Sequence, residues 1–196
     1  MKASFFKRLG AYLLDTIFLT IIVAITTIGM TSKEYDNAYN KYLELNEKYM
    51  AQEITIGEYL DDISPLMYTM NKSSVLVTGI NVGLSIAYFI VFQYLNKGQT
   101  LGKKLLKIKV VENGKDPSLK SMIIRSILID SIFSGLIGII FIFVLKQNTY
   151  YLGYSIVQMI ETMFIFISAL FVLYRKDKLG LHDIIAHTEV LEERGN

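Results

Sequence analysis

The first apolar stretch of the chain contains an aspartate and begins beside an arginine, and this pattern constrains the fold more than any other feature. Residues 9–30 are long and apolar enough to cross a bilayer, which takes roughly 20 residues in a helix. Asp15 lies inside the stretch, and Arg8 lies two helical turns earlier on about the same face. A carboxylate in the hydrocarbon costs about 2.5–3.5 kcal/mol, so it normally faces the interior of a helix bundle.

Three further apolar stretches, at residues 75–96, 122–145 and 152–174, are also long enough to span. We therefore predict an all-α integral membrane protein, a four-helix transmembrane bundle that forms a single domain over residues 1–196. No span contains a proline- and glycine-broken pair of the kind that marks many secondary transporters, which counts against a transporter of that kind. The absence of cysteine excludes disulfides and thiolate metal sites. The first stretch is too long for a signal peptide, contains Asp15 and has no clean small-residue cleavage site after it, so we expect it to be retained.

The flanking lysines and arginines predict the orientation. The N-terminus, the segment 97–121 with its seven lysines, and the tail 175–196 are basic, whereas the loop 31–74 has four lysines and eight acidic residues. Basic segments stay on the cytoplasmic side of a membrane. We therefore predict a cytoplasmic loop at 97–121, a cytoplasmic tail, both termini in the cytoplasm, and an outer loop at 31–74.

The outer loop has the pattern of a helical hairpin. Residues 32–52 have apolar positions at helical spacing, and Ser32 is a suitable N-cap. Thr55 and Glu58 match a capping box for a second short helix, which we expect to end near Pro65. Its tyrosines would lie at the membrane interface. The alternative is a mobile acidic loop.

The cytoplasmic loop and the tail have the same order of elements. In the loop, a short amphipathic helix carries Lys103, Lys104 and Lys107, which we predict to bind anionic lipid headgroups. A strand follows at residues 108–112 and ends at Asn113-Gly114. In the tail, a helical turn at residues 181–186 precedes a strand at 188–191. We expect these two strands to pair as a short cytoplasmic two-stranded β element.

Three carboxylates fall inside the predicted spans: Asp15, Asp130 and Glu161. Ser126 and Ser134 lie one turn before and after Asp130, on the same helix face. If the carboxylates face one core, they cannot all be ionised without compensation, so at least one would be protonated or bound to a cation. We predict that these five residues line an ion or substrate pathway.

Arg8 and Arg125 are the cationic partners available near the span ends. Arg8 is about 10.5 Å along its helix from Asp15, so Asp183 in the tail is the more plausible partner. Arg125 is placed to approach Asp15 or Asp130. The alternative for all of these charges is a structural one, in which they fix the register of neighbouring helices.

Four segments together resemble the RDD family of small multi-pass bacterial membrane proteins, which is named for an arginine and two aspartates. They are residues 8–15 (RLGAYLLD), 98–111 (GQTLGKKLLKIKVV), 125–130 (RSILID) and 179–190 (LGLHDIIAHTEV). By this resemblance Arg8 and Asp15 supply the first two letters, and Asp130 or Asp183 supplies the third. The chain departs from the pattern at Leu101, where the family usually has proline, and at Lys107 and His187, where it often has glycine.

The resemblance implies a bacterial cell membrane location and transport of an unidentified ligand, with cation–proton exchange as one form. Our first hypothesis is a small transporter or cation/proton exchanger that binds Na⁺ or H⁺ at Asp15 and Asp130. Because four helices are few to enclose a path, we expect a homodimer. The alternative is a non-enzymatic membrane adaptor that regulates another membrane protein.

The sequence favours few other functions. It has no metalloprotease helix motif and no phosphate-binding loop, so we predict no enzymatic activity, no catalytic residues, no metal and no cofactor. Lipid headgroups account for the basic loop, so we expect no nucleic-acid binding. The His182-Asp183 pair suggests a pH sensor, but Asp183 is more simply explained as a helix cap or a charge partner.

Overall fold

The computed structural model describes residues 1–193, so the last three residues of the predicted tail lie outside the described part. The helices are α1 (Phe5–Thr27), α2 (Lys33–Met50), α3 (Ile56–Ser73), α4 (Val75–Leu95), α5 (Leu101–Leu105), α6 (Leu119–Ile129), α7 (Ile132–Val144), α8 (Gln147–Tyr174) and α9 (Leu181–Ile185). The strands are β1 (Ile108–Glu112) and β2 (Thr188–Glu192). Within α4, residues Ile86–Phe92 are π-helical.

Three helices, α1, α4 and α8, are long and apolar enough to cross a membrane. A fourth candidate consists of α6 and α7, which are bent by 70° at a short break. The predicted third span over residues 122–145 is therefore formed by two helices that meet at a bend. The break lies at Asp130 and Ser131, and Ser131 has a φ of +54°, in the left-handed region that ends a right-handed helix. No proline or glycine announces this break in the sequence.

The predicted helical hairpin in residues 31–74 is confirmed as α2 and α3. The Ser32 side chain accepts a hydrogen bond from the backbone of Tyr35, and Thr55 and Glu58 form the capping box. The predicted end near Pro65 is wrong, because α3 continues to Ser73. Proline has no N–H, so the carbonyl of Asp61, four residues before Pro65, receives no helical hydrogen bond. The helix tolerates this loss because Asp61 is exposed at the surface.

The described chain divides into two compact units. The second consists of residues 27–81 and 134–159 and contains the helical hairpin. Tyr150 is fully buried in it, with its ring 5.5 Å from that of Tyr68 in an edge-to-face contact. Asn71 donates a hydrogen bond to the Tyr150 hydroxyl, and the Ser64 hydroxyl donates to the carbonyl of Gln147. These polar contacts hold α3 against the start of α8.

The first unit consists of residues 1–26, 82–133 and 160–193 and contains the small sheet. The predicted pairing is confirmed: β1 and β2 are antiparallel, with Val110 opposite Val190, and both of these side chains are buried. The turn after β1 has positive φ at Asn113 and Gly114, as predicted for an Asn-Gly end. The backbone N–H of Ala3 donates to the carbonyl of Val190, so the N-terminus extends the sheet beyond an isolated pair.

The two halves of this sheet repeat one local structure. In each, a five-residue helix ends two residues before a position with positive φ, and a strand follows directly. The positive-φ residues are Lys107, at +53°, and His187, at +54°. Only glycine adopts this region without steric cost, so a lysine and a histidine are unfavourable at these two places. Leu101 is the first residue of α5, a position where proline is favoured because its fixed φ suits the start of a helix.

Candidate functional site

The small sheet places a buried carboxylate, that of Asp183, against two arginines. Asp183 lies in α9 and is fully buried. Its Oδ2 accepts a hydrogen bond from Arg8 Nη1 at 2.7 Å, and its Oδ1 accepts one from Arg125 Nη1. The backbone N–H of Gly180 also donates to Oδ2, at 3.0 Å. One carboxylate therefore joins the first helix, α6 and the tail.

Both the electrostatics and the hydrogen bonds keep Asp183 ionised. Burial raises the pKa of Asp183, but Arg125, His182 and Arg8 lower it by more, so the net pKa is below the usual range. Arg8 uses its remaining donors on the carbonyls of Lys178, at 2.8 Å, and Ala3, at 3.3 Å. The structure thus brings Arg8, Arg125 and Asp183 together. The sequence suggested Asp15 or Asp130 as the partner of Arg125, but in the structure Arg125 pairs with Asp183.

A second buried carboxylate, Asp15, holds the start of α5. Asp15 is 1% exposed and accepts hydrogen bonds from the Tyr88 hydroxyl at 2.6 Å, the Thr100 hydroxyl at 2.5 Å and the Gly102 backbone N–H at 2.7 Å. The Leu101 N–H donates to the Tyr88 oxygen, which completes a closed network. All of these donors are uncharged. Asp15 therefore fastens the segment 100–102 to α1.

Two local features make this network possible. Tyr88 lies in the π-helical part of α4, where one extra residue per turn shifts the direction of the side chains. Gly102 lies so close to α1 that a Cβ there would overlap the Ala11 carbonyl oxygen and lie 2.9 Å from the Asp15 carboxyl. Tyr88, Thr100 and Gly102 were not predicted as site residues. The one available sequence signal was Thr100 as an N-cap, and it indicates a helix start rather than a partner.

A cavity of about 200 Å³ lies between these two networks in the first unit. Its polar lining consists of Arg8, Tyr12, Lys103, Arg125, Asp130 and His182. Its apolar lining comes from α1, α6, α8 and the sheet: Phe5, Leu9, Ile108, Ile129, Ile165, Ala169, Val172 and Val190. Charged groups thus share a small chamber with hydrocarbon side chains.

Lys103 points into this cavity, although the sequence predicted it to contact lipid headgroups. Its Nζ is 3.4 Å from the Gln93 side-chain oxygen. Burial lowers the pKa of Lys103, while Asp15 acts in the opposite direction. Lys104 and Lys107 are exposed, as a headgroup contact requires. The segment is amphipathic as predicted, but the Asp15 network rotates one of its three lysines inward.

Asp130 lines the cavity at the break between α6 and α7. One turn earlier, the Ser126 hydroxyl donates to the carbonyl of Phe89 at 3.0 Å. The other predicted pathway residues lie elsewhere: Ser134 is in the second unit, and Glu161 is half-buried on α8 but is not part of the described lining of this cavity. Of the three carboxylates expected in the spans, the cavity therefore presents Asp130.

His182 contributes a neutral wall. Its Nδ1 is 2.6 Å from the Ser168 hydroxyl. Burial, with Arg125 as the next contribution, lowers the pKa of His182 to about 3. The ring is therefore uncharged at neutral pH, which argues against the sensor interpretation of the His182-Asp183 pair.

The comparisons with known proteins bear on the chain as a whole. A family model described as RDD family matches residues 2–187, nearly the whole sequence. Among curated proteins and solved structures, none matches the chain. The match covers Arg8, Asp15, Arg125 and Asp183, and every residue of the cavity lining except Val190.

Proposed function

The chain belongs to the RDD family, and from this premise we propose that it is a small membrane transporter in which Asp130 carries a proton. The observation that supports the proposal is the position of Asp130, at a helix break and on the wall of a cavity. Discontinuous helices are common at the binding sites of secondary transporters. Ionisable residues inside spans are functional candidates because their burial is costly.

The contacts of the other carboxylates favour Asp130 as well. Asp15 and Asp183 are fixed by the two networks described above, so a proton on either one would disrupt a fold contact. They are positioning residues in this proposal. Asp130 faces free volume, where a proton and a monovalent cation such as Na⁺ could compete for one carboxylate. Cation/proton exchange, the activity that the family resemblance implies, would follow from that competition.

The remaining parts of the proposal concern the membrane. We place the three apolar helices and the broken pair as four spans of a bundle in a bacterial cell membrane. The basic segments put the small sheet and both termini in the cytoplasm. Lys104 and Lys107 would then lie at the anionic headgroups. A homodimer would supply the further helices needed to enclose a path.

Proton flux tests the proposal directly. Purified protein in proteoliposomes containing a pH-sensitive dye is challenged with Na⁺, K⁺ or Li⁺. We expect cation-dependent flux in the wild type and at least a tenfold loss in Asp130→Asn. The matched control is Asp116→Asn, an exposed carboxylate in the loop after β1 that should retain full flux. Absence of flux from folded wild-type protein with all three cations would refute cation/proton exchange. Full flux in Asp130→Asn would refute the role of Asp130 as the proton carrier.

A second candidate function is that of a membrane adaptor, and the helical hairpin is the observation that favours it. Helices α2 and α3 carry exposed acidic residues on a surface that the transport proposal does not use. An adaptor would show no flux when purified and would bind one membrane partner in fixed stoichiometry. Substitution of the exposed Glu44 and Glu47 by lysine would then release that partner, whereas a transporter would keep its flux in the same variant.

A further inference from the structure

We propose that the cavity binds the anionic head of a membrane amphiphile, a phosphate or carboxylate group, while the acyl chain stays in the bilayer. The site is the same chamber that Asp130 lines, but the inference concerns its basic and apolar walls and does not require transport across the membrane. It assigns Lys103 and Arg125 as the groups that contact the head. The walls from α1, α6 and α8 contact the first part of the chain.

The first argument is the unused hydrogen-bonding capacity of two cations. The Lys103 Nζ makes a long contact, 3.4 Å, with the side-chain oxygen of the neutral Gln93. Within residues 1–193, the acceptors that Arg125 meets, Asp183 and Thr188, both bond through Nη1. An ammonium has three donors and a guanidinium has five, so Lys103 and the Nε–Nη2 edge of Arg125 can still bind oxygens. Arg8, whose three nitrogens all have acceptors, has a positioning role instead.

The second argument is the balance of charge. Three cations, Arg8, Lys103 and Arg125, line the cavity, and one carboxylate, Asp183, lies behind the two arginines. Asp15, which bonds the backbone beside Lys103, and Asp130 supply the other two negative charges. When Asp130 is neutral, one positive charge is therefore in excess. An anionic head would compensate it in a chamber where charge-assisted hydrogen bonds are strong.

The third argument is the size and opening of the chamber. The volume of the chamber, about 200 Å³, suits a phosphate or carboxylate with a few methylenes. Typical sites that enclose a whole small molecule are about 300–1,000 Å³. Leu9 and Tyr12 line the cavity and are also about 40% exposed, so the chamber reaches the surface of the apolar helix α1. A chain can leave there into hydrocarbon.

Ligand binding to the full-length protein in a neutral detergent tests this site. The probes are lysophosphatidic acid, oleate, lysophosphatidylcholine and inorganic phosphate, titrated by calorimetry. We expect the two anionic amphiphiles to bind at least tenfold more tightly than the zwitterionic lysophosphatidylcholine, and more tightly than phosphate alone. Equal binding of lysophosphatidylcholine would refute the anion site. Phosphate that binds as tightly as lysophosphatidic acid would refute the amphiphile and identify a soluble anion.

Variants locate the binding. Lys103→Gln should weaken oleate binding about tenfold, since it removes a charge-assisted hydrogen bond to the carboxylate. The matched control is Lys120→Gln, an exposed lysine on α6 that should bind as the wild type does. Ala169→Phe should block all amphiphile binding by filling the chamber. Unchanged oleate binding in folded Lys103→Gln and Ala169→Phe would overturn the proposal.

Asp130→Asn separates this inference from the transport proposal. Removal of the carboxylate leaves the excess positive charge permanently in place, so we expect oleate to bind severalfold more tightly in this variant. The transport proposal expects the same variant to lose flux. Tighter binding with unchanged flux would support the amphiphile site and refute the transport role of Asp130. Weaker binding of oleate in Asp130→Asn would refute the charge argument made here.

Discussion

Asp183 is the residue at which a single substitution should be most costly, because the buried Arg125 and the half-buried Arg8 both depend on it. The substitution Asp183→Asn preserves the shape of the side chain and removes its charge. Arg8 and Arg125 would then lie close together with no counter-charge at the centre of their pairing. Breaking a buried ion pair by removing one partner costs about 3–5 kcal/mol, since the remaining charge stays desolvated.

We expect the free energy of unfolding to fall by about 3–5 kcal/mol in Asp183→Asn. The measurement is equilibrium urea unfolding of the protein in dodecyl maltoside, followed by circular dichroism. The matched control is Asp177→Asn, which breaks a pair with Arg175 in which both side chains are about 40% exposed. Exposed pairs contribute about 0–1 kcal/mol, so this control should unfold almost as the wild type does.

A double variant provides a check against simple misfolding. Replacing Arg125 with Met in the Asp183→Asn background removes one of the two uncompensated charges, so part of the lost stability should return. If Asp183→Asn lost less than about 1 kcal/mol, the same as Asp177→Asn, the two arginines would not depend on Asp183. The argument that this cluster joins the first helix to the tail would then be wrong.

Three further outcomes follow from particular residues. Burial lowers the pKa of His182 to about 3, below its value of about 6.5 in an unfolded chain. The contribution of His182 to stability is therefore complete above pH 6.5 and decreases by up to about 1.4 kcal/mol per pH unit as the pH falls towards 3. Unfolding titrations at pH 7 and pH 5 should show this loss, and His182→Gln should remove it. Gly102→Ala should destabilise by about 1–3 kcal/mol through overlap with α1, whereas Gly83→Ala, where a Cβ meets open space, should be neutral or slightly stabilising. Glycine at Lys107 or His187 should raise the melting temperature, because a left-handed conformation costs a non-glycine residue about 1–2 kcal/mol; a lower melting temperature in both variants would contradict the backbone argument.

Several elements could be predicted from the sequence because they depend on residues that are close together along the chain. Ser32 and Thr55 mark helix starts because their oxygens accept backbone hydrogen bonds within three residues. Asn113-Gly114 marks the end of β1 because both residues tolerate positive φ. The apolar helices could be predicted from length and composition, because a helix that crosses the hydrocarbon core must consist of about 20 mainly apolar residues.

Contacts between distant segments could not be predicted in the same way. The inward rotation of Lys103 depends on Asp15, 88 residues earlier, which fastens the backbone of Gly102. The break at Asp130 and Ser131 has no proline or glycine to mark it. Both features result from hydrogen bonds and packing among helices that are separated along the chain. No window of neighbouring residues contains that information.

The buried charges distinguish what the sequence determined from what the tertiary structure decided. The sequence by itself determined that Arg8 and Asp15 need partners, because an isolated charge in an apolar helix is too costly. The tertiary structure decided which partners these are: two arginines share Asp183, and Asp15 is satisfied by uncharged donors from α4 and the 100–102 segment. Partner choice depends on distances of a few ångströms between elements, whereas the need for a partner depends on composition alone. For that reason Asp130, and not Asp15, became the carboxylate at the cavity.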